Sequence, residues 1–483
     1  MTKTKEYLKN TIILLLGKFT TQFMSFLLLP LYTKKLEAAD YGTVDLIQTY
    51  ISLLFPVLTL RLDSATFRFL IDHRKSEEES KKCISNILNI LFATASITVL
   101  TALTLPLFVT IPYYPHICAN LIVLMLSNIF LQILRGQGKN LSYAIASIIT
   151  GVSTLLINVV QIVWLGHGAE SILVSSTIAN VLCLIFVFFS AKLYKNYSPK
   201  LADKKLAKEF LKYSLPMIPN SLSWWIVNVS DRTIIRIFLG AAFNGIYTVS
   251  CKFSNILNSV FSIFNMSWQE SASLHIDDED RDEYFSKMIN QLLMLFSSIA
   301  LCILVALPVF YNVLIGEQYW SSYDYIPVLL YANSWNVLIS LIGGIYVAKK
   351  RTKEIANTTI ISAVINLVIN LALIKFIGLH AATISTLISY MVMALYRVKD
   401  CQKYVKYKMD VKGIILVTVV FAIAYVLYEI NNPWLNIANI AFVGIYVFLA
   451  NHKNLKSILG MLKYKKKRKL TKKQSNDIIG ENY

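Results

Sequence analysis

Apolar stretches of about twenty residues recur along almost the whole chain, and short polar segments separate them. A helix needs roughly 20 apolar residues to cross the ~30 Å hydrocarbon core of a bilayer. Counted against that length, the pattern predicts about fourteen spanning helices. The first six lie near 10–32, 43–60, 84–109, 116–134, 141–165 and 170–193. Six more lie near 211–239, 242–267, 288–313, 322–348, 354–376 and 379–398, and two follow at 411–430 and 434–451. The fold class is therefore all-α, that of a polytopic integral membrane protein. MTKTKEYLKN followed by an apolar run mimics a signal peptide. The run from Thr11 to Tyr32 is too long for one, and LEAAD is a poor cleavage site, so it reads as a retained first span.

Lys and Arg fall in alternate loops, which sets the orientation. One side holds Lys3, Lys5 and Lys9, then Arg61, Arg68, Arg74, Lys75, Lys81 and Lys82, then Arg135 and Lys139. It also holds the lysines between 192 and 212, Lys349, Lys350, Arg351 and Lys353, the Arg397–Lys412 group and the tail MLKYKKKRKLTKK. The opposite loops, such as TIPYYPH (110–116) and NNPW (431–434), hold almost none; Lys34 and Lys35 break the pattern. The expectation is a multi-pass protein of the inner or plasma membrane with both termini and the 194–210 connector cytoplasmic.

Composition agrees. Of 483 residues 55% are hydrophobic and 16% charged, below the quarter usual for soluble proteins. The formal charge of +19 sits in loops between spans, so it reads as topology and lipid contact rather than nucleic-acid binding. No loop is long enough for a soluble catalytic domain. RGQGKN (135–140) lacks the phosphate-loop pattern, six cysteines are scattered singly, and the histidines have no metal-ligand spacing. Asp278, Asp280 and Asp282 have calcium-loop spacing, but Glu283 stands where the turn needs glycine. The chain is not expected to be an enzyme or to hold a metal or cofactor; an ion gradient is the remaining energy source.

The chain also repeats itself. AADYGTVDLI (38–47) is echoed by AAFNGIYTVS (241–250), and INVVQIVWLGHGAESI (157–172) by INLALIKFIGLHAATI (369–384). The offsets, 203 and 212, nearly agree. Six spans is an even number, so both halves start on one face, which makes a parallel repeat about an axis along the membrane normal. The expected organisation is a six-helix bundle at 1–193, a connector at 194–210, a second bundle at 211–399, two extra helices at 400–451 and a basic tail at 452–483.

Charges deep in spans are functional suspects, because burying them is costly. Lys18 lies ~12 Å into span 1, Arg232 ~10 Å and Arg236 ~6 Å from the outer end of span 7, and Lys252 near mid-membrane in span 8. One reading is a cationic cavity lining that favours an anion, especially a phosphate, which Arg grips with two donors. The other is structural: Arg236 snorkels, and Asp231 pairs with its neighbour Arg232. Arg61 and Arg68, at the end of span 2, are either part of the lining or plain topology signals. Asp231 and Asp45 are the buried acids that could couple transport to ions. Pro216 and Pro219 open span 7 as either a hinge or a packing kink. Trp224, Trp225 and Trp268 are either sugar contacts or interfacial anchors.

SDRTIIRIFLGAAFNGIYTVSCKFSNIL (230–257), LKYSLPMIPNSLSWWI (211–226) and GLHAATISTLIS (378–389) carry a family resemblance. In their order and spacing they resemble the polysaccharide-transporter branch of the multidrug/oligosaccharidyl-lipid/polysaccharide exporter superfamily, the Wzx-type flippases. Asp231, Arg232, Gly245 and Tyr247 stand in the family's pattern, while Ser250 and Cys251 depart from its usual alanine. The resemblance implies a V-shaped pair of bundles, like the multidrug and toxin exporters, around a central cavity. It also implies a flippase moving polyprenyl-pyrophosphate-linked oligosaccharide to the outer leaflet, driven by a proton or sodium gradient, with Lys18, Arg232, Arg236 and Lys252 on the pyrophosphate. Membrane lipids, glycosyltransferases and a polymerase of the same pathway would be its partners. A multidrug cation antiporter, a peptidoglycan lipid-precursor flippase and a non-transporting scaffold are the rival readings.

Overall fold

The computed structural model describes residue 17 and residues 20–452, apart from 75, 109–110 and 350; at 220, 223, 224, 226–228, 263, 266 and 352 only the backbone is described. Among the described residues all regular structure is helical. Residues 20–27 form a helix that continues as α1 (Leu29–Lys35), followed by α2 (Ala38–Leu58), α3 (Leu62–Asp72), α4 (Glu77–Thr104), α5 (Tyr114–Gly136), α6 (Asn140–Val159) and α7 (Glu170–Ser190). The second half runs α8 (Lys204–Ser214), α9 (Met217–Phe238), α10 (Ala241–His275), α11 (Arg281–Leu314), α12 (Ile326–Ala348), α13 (Thr352–Ile377) and α14 (His380–Cys401). Then come α15 (Val411–Ile430) and α16 (Pro433–His452).

Eleven of the described helices are long and apolar enough to cross a membrane. The start of the expected first span, residues 10–16, 18 and 19, lies outside the described residues. Helices α9 and α10 have the length but are more polar, since α9 carries Asp231, Arg232 and Arg236 and α10 carries Lys252 among serines and asparagines. Large apolar side chains such as Leu103, Phe189, Ile237 and Phe376 remain exposed, the surface a hydrocarbon solvent covers.

Two helices were not expected. Helix α3 follows a sharp reversal in which Leu60 and Arg61 both take left-handed backbone angles. Helix α8 lies within what reads as the connector and the start of span 7. Asp203 caps it, accepting from the backbone N–H groups of Lys205 and Leu206. Both are amphipathic and lack a long apolar run, so hydropathy passes over them. Phe210 of α8 packs edge-on against Phe69 of α3 at 4.7 Å. Span 7 accordingly begins at Met217 rather than 211, with the chain breaking at residues 215–216. Pro216 is the N-cap of α9 and Pro219 lies in its first turn, where a missing N–H costs nothing.

Helices α2 and α10 cross and join the two halves. The stripe Ala38, Gly42 on α2 meets the stripe Ala241, Gly245 on α10. A Cβ at Gly42 would sit 2.1 Å from the Ala241 carbonyl oxygen, and one at Gly245 would sit 2.2 Å from that of Ala38. Only glycine permits so close a crossing. Asn244 Nδ2 donates to the Gly42 carbonyl at 2.7 Å. Nearby, the 317–325 segment clasps the turn after α1. Gln318 donates to the Leu36 carbonyl at 2.6 Å and accepts from the Ala38 N–H at 3.2 Å, while the Tyr319 hydroxyl donates to the same Leu36 carbonyl. These ties lie at the end of the molecule remote from Arg68, Arg74 and Lys349, which is hereafter the closed end as opposed to the basic face.

Candidate functional site

Beyond the glycine crossing, α2 and α10 continue side by side, and Thr248 of α10 bonds to Asp45 of α2. One helical stripe on α2 carries Gly42, Asp45 and Thr49; the facing stripe on α10 carries Gly245, Thr248 and Lys252. Residues three and four apart share a helix face, so each stripe points at the other. Beside them lies a cavity of about 190 Å³. Its wall includes the hydroxyls of Thr21, Ser25, Thr150, Thr154 and Ser176, the amide of Gln48, the carboxylate of Asp45 and the ammonium stem of Lys252.

Arg232 reaches this region from α9. Its Nε stands 2.7 Å from Asp45 Oδ2, an ion pair between the two halves with side chains 16% and 11% exposed. Thr248 Oγ1 donates to the same carboxylate oxygen at 2.8 Å. Lys252, one turn beyond Thr248, is half-buried and has no ion pair or hydrogen bond to any described residue. The cluster of Arg232, Lys252 and Asp45 therefore carries one uncompensated positive charge. A charge so placed attracts an anion strongly, since water screens it little.

Asp231 faces elsewhere. Successive helical residues point about 100° apart, so Arg232 turns toward α2 while Asp231 enters the second half. It is 4% exposed. Asn370 Nδ2 donates to its Oδ1 at 2.7 Å, and Tyr247 and Thr386 hydroxyls donate to its Oδ2 at 3.2 and 3.1 Å. In its other amide orientation Asn366 also donates, at 3.0 Å. The pairing of Asp231 with Arg232 that the sequence left open is not formed; the partner of Arg232 is Asp45.

The other singled-out residues lie apart. Lys18 lies outside the described residues. Arg236, in the last turn of α9, is exposed. Arg61 turns onto its own helix, donating to Ser64 at 2.8 Å and lying 3.5 Å from Asp63. Arg68 forms an exposed pair with Asp72 at 2.8 Å. Trp268 corrects both readings offered for it: it is 3% exposed and donates to the Leu341 carbonyl, so it meets neither interface nor cavity. Trp225 donates to the Thr49 carbonyl and stacks on Tyr50, joining α9 to α2. Sequence reasoning missed Thr248, Asn370 and Thr386 as carboxylate partners. Thr248 and Asn370 lie inside the echoed segments, which was the available signal.

Three kinds of likeness bear on this arrangement. A family model described as "Polysaccharide biosynthesis protein" matches residues 7–269. Over 264 residues the chain is 22% identical to the Lsg locus putative protein 1 of Haemophilus influenzae, covering 53% of this chain and 63% of that protein. The chain thus spans less than two thirds of that relative's length. Its structure resembles that of the lipid II flippase MurJ in an inward closed conformation, with a TM-score of 0.68 at 14% identity, over 94% of this chain and 100% of the other. It also resembles an inward-facing multidrug resistance transporter of the MATE family, within the MOP superfamily (TM-score 0.67, 13% identity, 82% and 98% covered). A third likeness is to a MOP-superfamily transporter from Pyrococcus furiosus described as having a binding pocket of reversed polarity (TM-score 0.57, 12% identity, 82% and 95% covered). At such identities the likeness is one of fold.

Proposed function

The chain belongs to the polysaccharide biosynthesis protein family, and from that premise we propose that it is a flippase. Its cargo is a polyprenyl-pyrophosphate-linked oligosaccharide, carried from the cytoplasmic to the outer leaflet for cell-surface polysaccharide synthesis. The observation that carries the reading is Lys252, a cation that the second half places on the wall of a polar cavity otherwise lined by the first half, one turn from the Thr248 that shares Asp45 with Arg232. A cavity built for cationic drugs would present an unmatched acid, whereas here the unmatched charge is positive. Diphosphate oxygens suit both cations, and the hydroxyls of Thr21, Ser25, Thr150 and Thr154 suit sugar hydroxyls.

The basic face is the cytoplasmic one, by the excess of Lys and Arg in its loops. Both termini and the basic tail lie there, in the inner or plasma membrane. With the closed end held by the glycine crossing and the Gln318 clasp, the cavity is entered from the cytoplasm. Transport rocks residues 1–193 against 211–399, with α15 and α16 as an added pair and residues 215–216 as a pivot. Asp231, surrounded by Asn370, Thr386 and Tyr247, is the ion-coupling group on the second half, and Asp45 is its counterpart between the halves. Glycosyltransferases and a polymerase would supply and consume the cargo.

The test is genetic and chemical. Arg232→Ala or Lys252→Ala should abolish surface polysaccharide at unchanged protein abundance, with lipid-linked oligosaccharide accumulating on the cytoplasmic leaflet. Normal polymer from both variants would remove the cationic cluster from the mechanism.

A further inference from the structure

Resting on that reading of the cavity as a diphosphate site, we infer that Asp45 is an internal substitute for the guest's phosphate: it holds Arg232 until a diphosphate arrives beside Lys252, then gives it up. The geometry supplies the argument. Asp45 Oδ2 takes both Arg232 Nε at 2.7 Å and Thr248 Oγ1 at 2.8 Å, and the same carboxylate lines the cavity with Lys252. Thr248 and Lys252 lie one turn apart on one face of α10, so an anion seated on Lys252 comes within about 6 Å of the Arg232 pair.

Charge determines the outcome. The cluster holds two cations and one anion. A diphosphate diester brings two negative charges, enough to pair with both cations in place of Asp45. A buried arginine stripped of its partner is strongly destabilised. Exchange of one anion for another avoids that state, because the guanidinium is paired before and after. A phosphate also offers Arg two parallel bonds, where the Asp45 contact uses Nε. Once displaced, Asp45 is repelled by the guest.

The exchange also connects cargo to movement. Asp45 belongs to α2 and Arg232 to α9, so the pair ties the two halves, one turn from the Gly42–Gly245 crossing. Giving up Arg232 removes that tie, and the guest loosens the closed end by the act of binding. Asp45 is thus a specificity-setting residue: a guest that carries too little negative charge cannot take Arg232 from it.

The experiment measures binding of inorganic pyrophosphate and of farnesyl diphosphate to the full chain in lipid nanodiscs, by calorimetry. Asp45→Asn and Asp45→Ser are expected to bind both about tenfold or more tightly than the unaltered protein, and Lys252→Gln about tenfold more weakly. A structural counter-ion would behave oppositely, since losing it disorders Arg232 and weakens binding. Thr248→Val keeps the ion pair and removes only one bond that holds Asp45; it should tighten binding several-fold even where the Asp45 variants do not fold. Unchanged or weaker binding in Thr248→Val and the Asp45 variants, with Lys252→Gln still weakened, overturns the role of Asp45 and leaves the diphosphate reading intact. No binding to the unaltered protein overturns both. If pyrophosphate follows the expected order and farnesyl diphosphate does not, Asp45's role stands and the lipid-borne guest falls.

Discussion

Substituting alanine at Gly42 tests whether the closed end is held by backbone contact. The new Cβ would lie 2.1 Å from the Ala241 carbonyl oxygen and 2.5 Å from the Gly245 nitrogen. Both are backbone atoms of a helix, so neither can swing aside, and ordinary contact begins only at 3.4 Å. The helices must therefore part by more than an ångström. Overpacking of this kind costs about 1–3 kcal/mol. Within α2 itself the change is favourable by roughly 0.5–1 kcal/mol, because alanine loses less freedom in a helix than glycine. The penalty thus falls on the crossed arrangement and not on the helix. A bias of about 1–3 kcal/mol moves an equilibrium some 5–150-fold. The assay places a single cysteine at Ser25, on the cavity wall, in a protein without other cysteines, and follows labelling by a charged thiol reagent added from the closed end. Gly42→Ala should speed labelling at least fivefold, and Gly42→Ala with Gly245→Ala more so. Gly444→Ala, where a Cβ meets nothing within 4 Å, should not. Labelling that is unchanged, or that rises equally from both faces, would refute the argument.

Other substitutions test the remaining polar contacts. Asn370→Ala removes the 2.7 Å donor to Asp231; it should cost about 1–3 kcal/mol, read as a lower unfolding temperature in detergent, and abolish gradient-driven transport. Arg397 is 4% exposed and donates to Thr358, Thr359 and the carbonyls of Ile339 and Ile355, binding α12, α13 and α14 together. Arg397→Met should destabilise by roughly 2–4 kcal/mol and lower membrane abundance, and Arg397→Lys should not rescue it, since one ammonium cannot span those acceptors. The Asp203 carboxyl is held below its ordinary range by the Lys82 ammonium at 2.6 Å and by the backbone N–H groups it caps. Its contribution is present at neutral pH and fades as acid takes pH down through that lowered value. A spin label at Lys208→Cys on α8 should therefore gain mobility only at low pH, and in Asp203→Ala at every pH; a label equally fixed in both would contradict this.

Much of the molecule was legible because hydropathy is a local signal. The all-α, multi-pass architecture and the family were read from spans and from segments 211–226, 230–257 and 378–389, and the fold and the family match agree with them. Helices α3 and α8 escaped because they are short and half polar. The depth of Arg232 and Lys252 was countable along a helix at 1.5 Å per residue, but the partner of Arg232 was not. Asp231 adjoins it in sequence and points away in space, whereas Asp45 lies far off in sequence and meets it through the crossing of helices. Nothing local in the chain records that crossing. Trp268 fails for the same reason: an aromatic in a span reads as an anchor until a neighbouring helix is seen to bury it.

The echo between 38–47 and 241–250 explains why the glycine crossing and the charged cluster are neighbours. Carried over at the 203-residue offset, Ala38 matches Ala241, Gly42 matches Gly245, Asp45 matches Thr248 and Thr49 matches Lys252. The structure brings these matched positions face to face: Gly42 abuts Ala241, Gly245 abuts Ala38, and Asp45 bonds to Thr248. The local symmetry axis therefore runs between α2 and α10. Where the echoed segments have the same small residues, two like surfaces close on each other. Where they have diverged, one copy carries an acid opposite a hydroxyl and, a turn further on, a lysine where its twin has a threonine. A symmetric pair of charges at the axis would repel itself; only divergence can set Asp45 and Lys252 on facing stripes with Arg232 between the halves. The sign of the cluster is thus a product of asymmetry laid directly beside a symmetric small-residue contact.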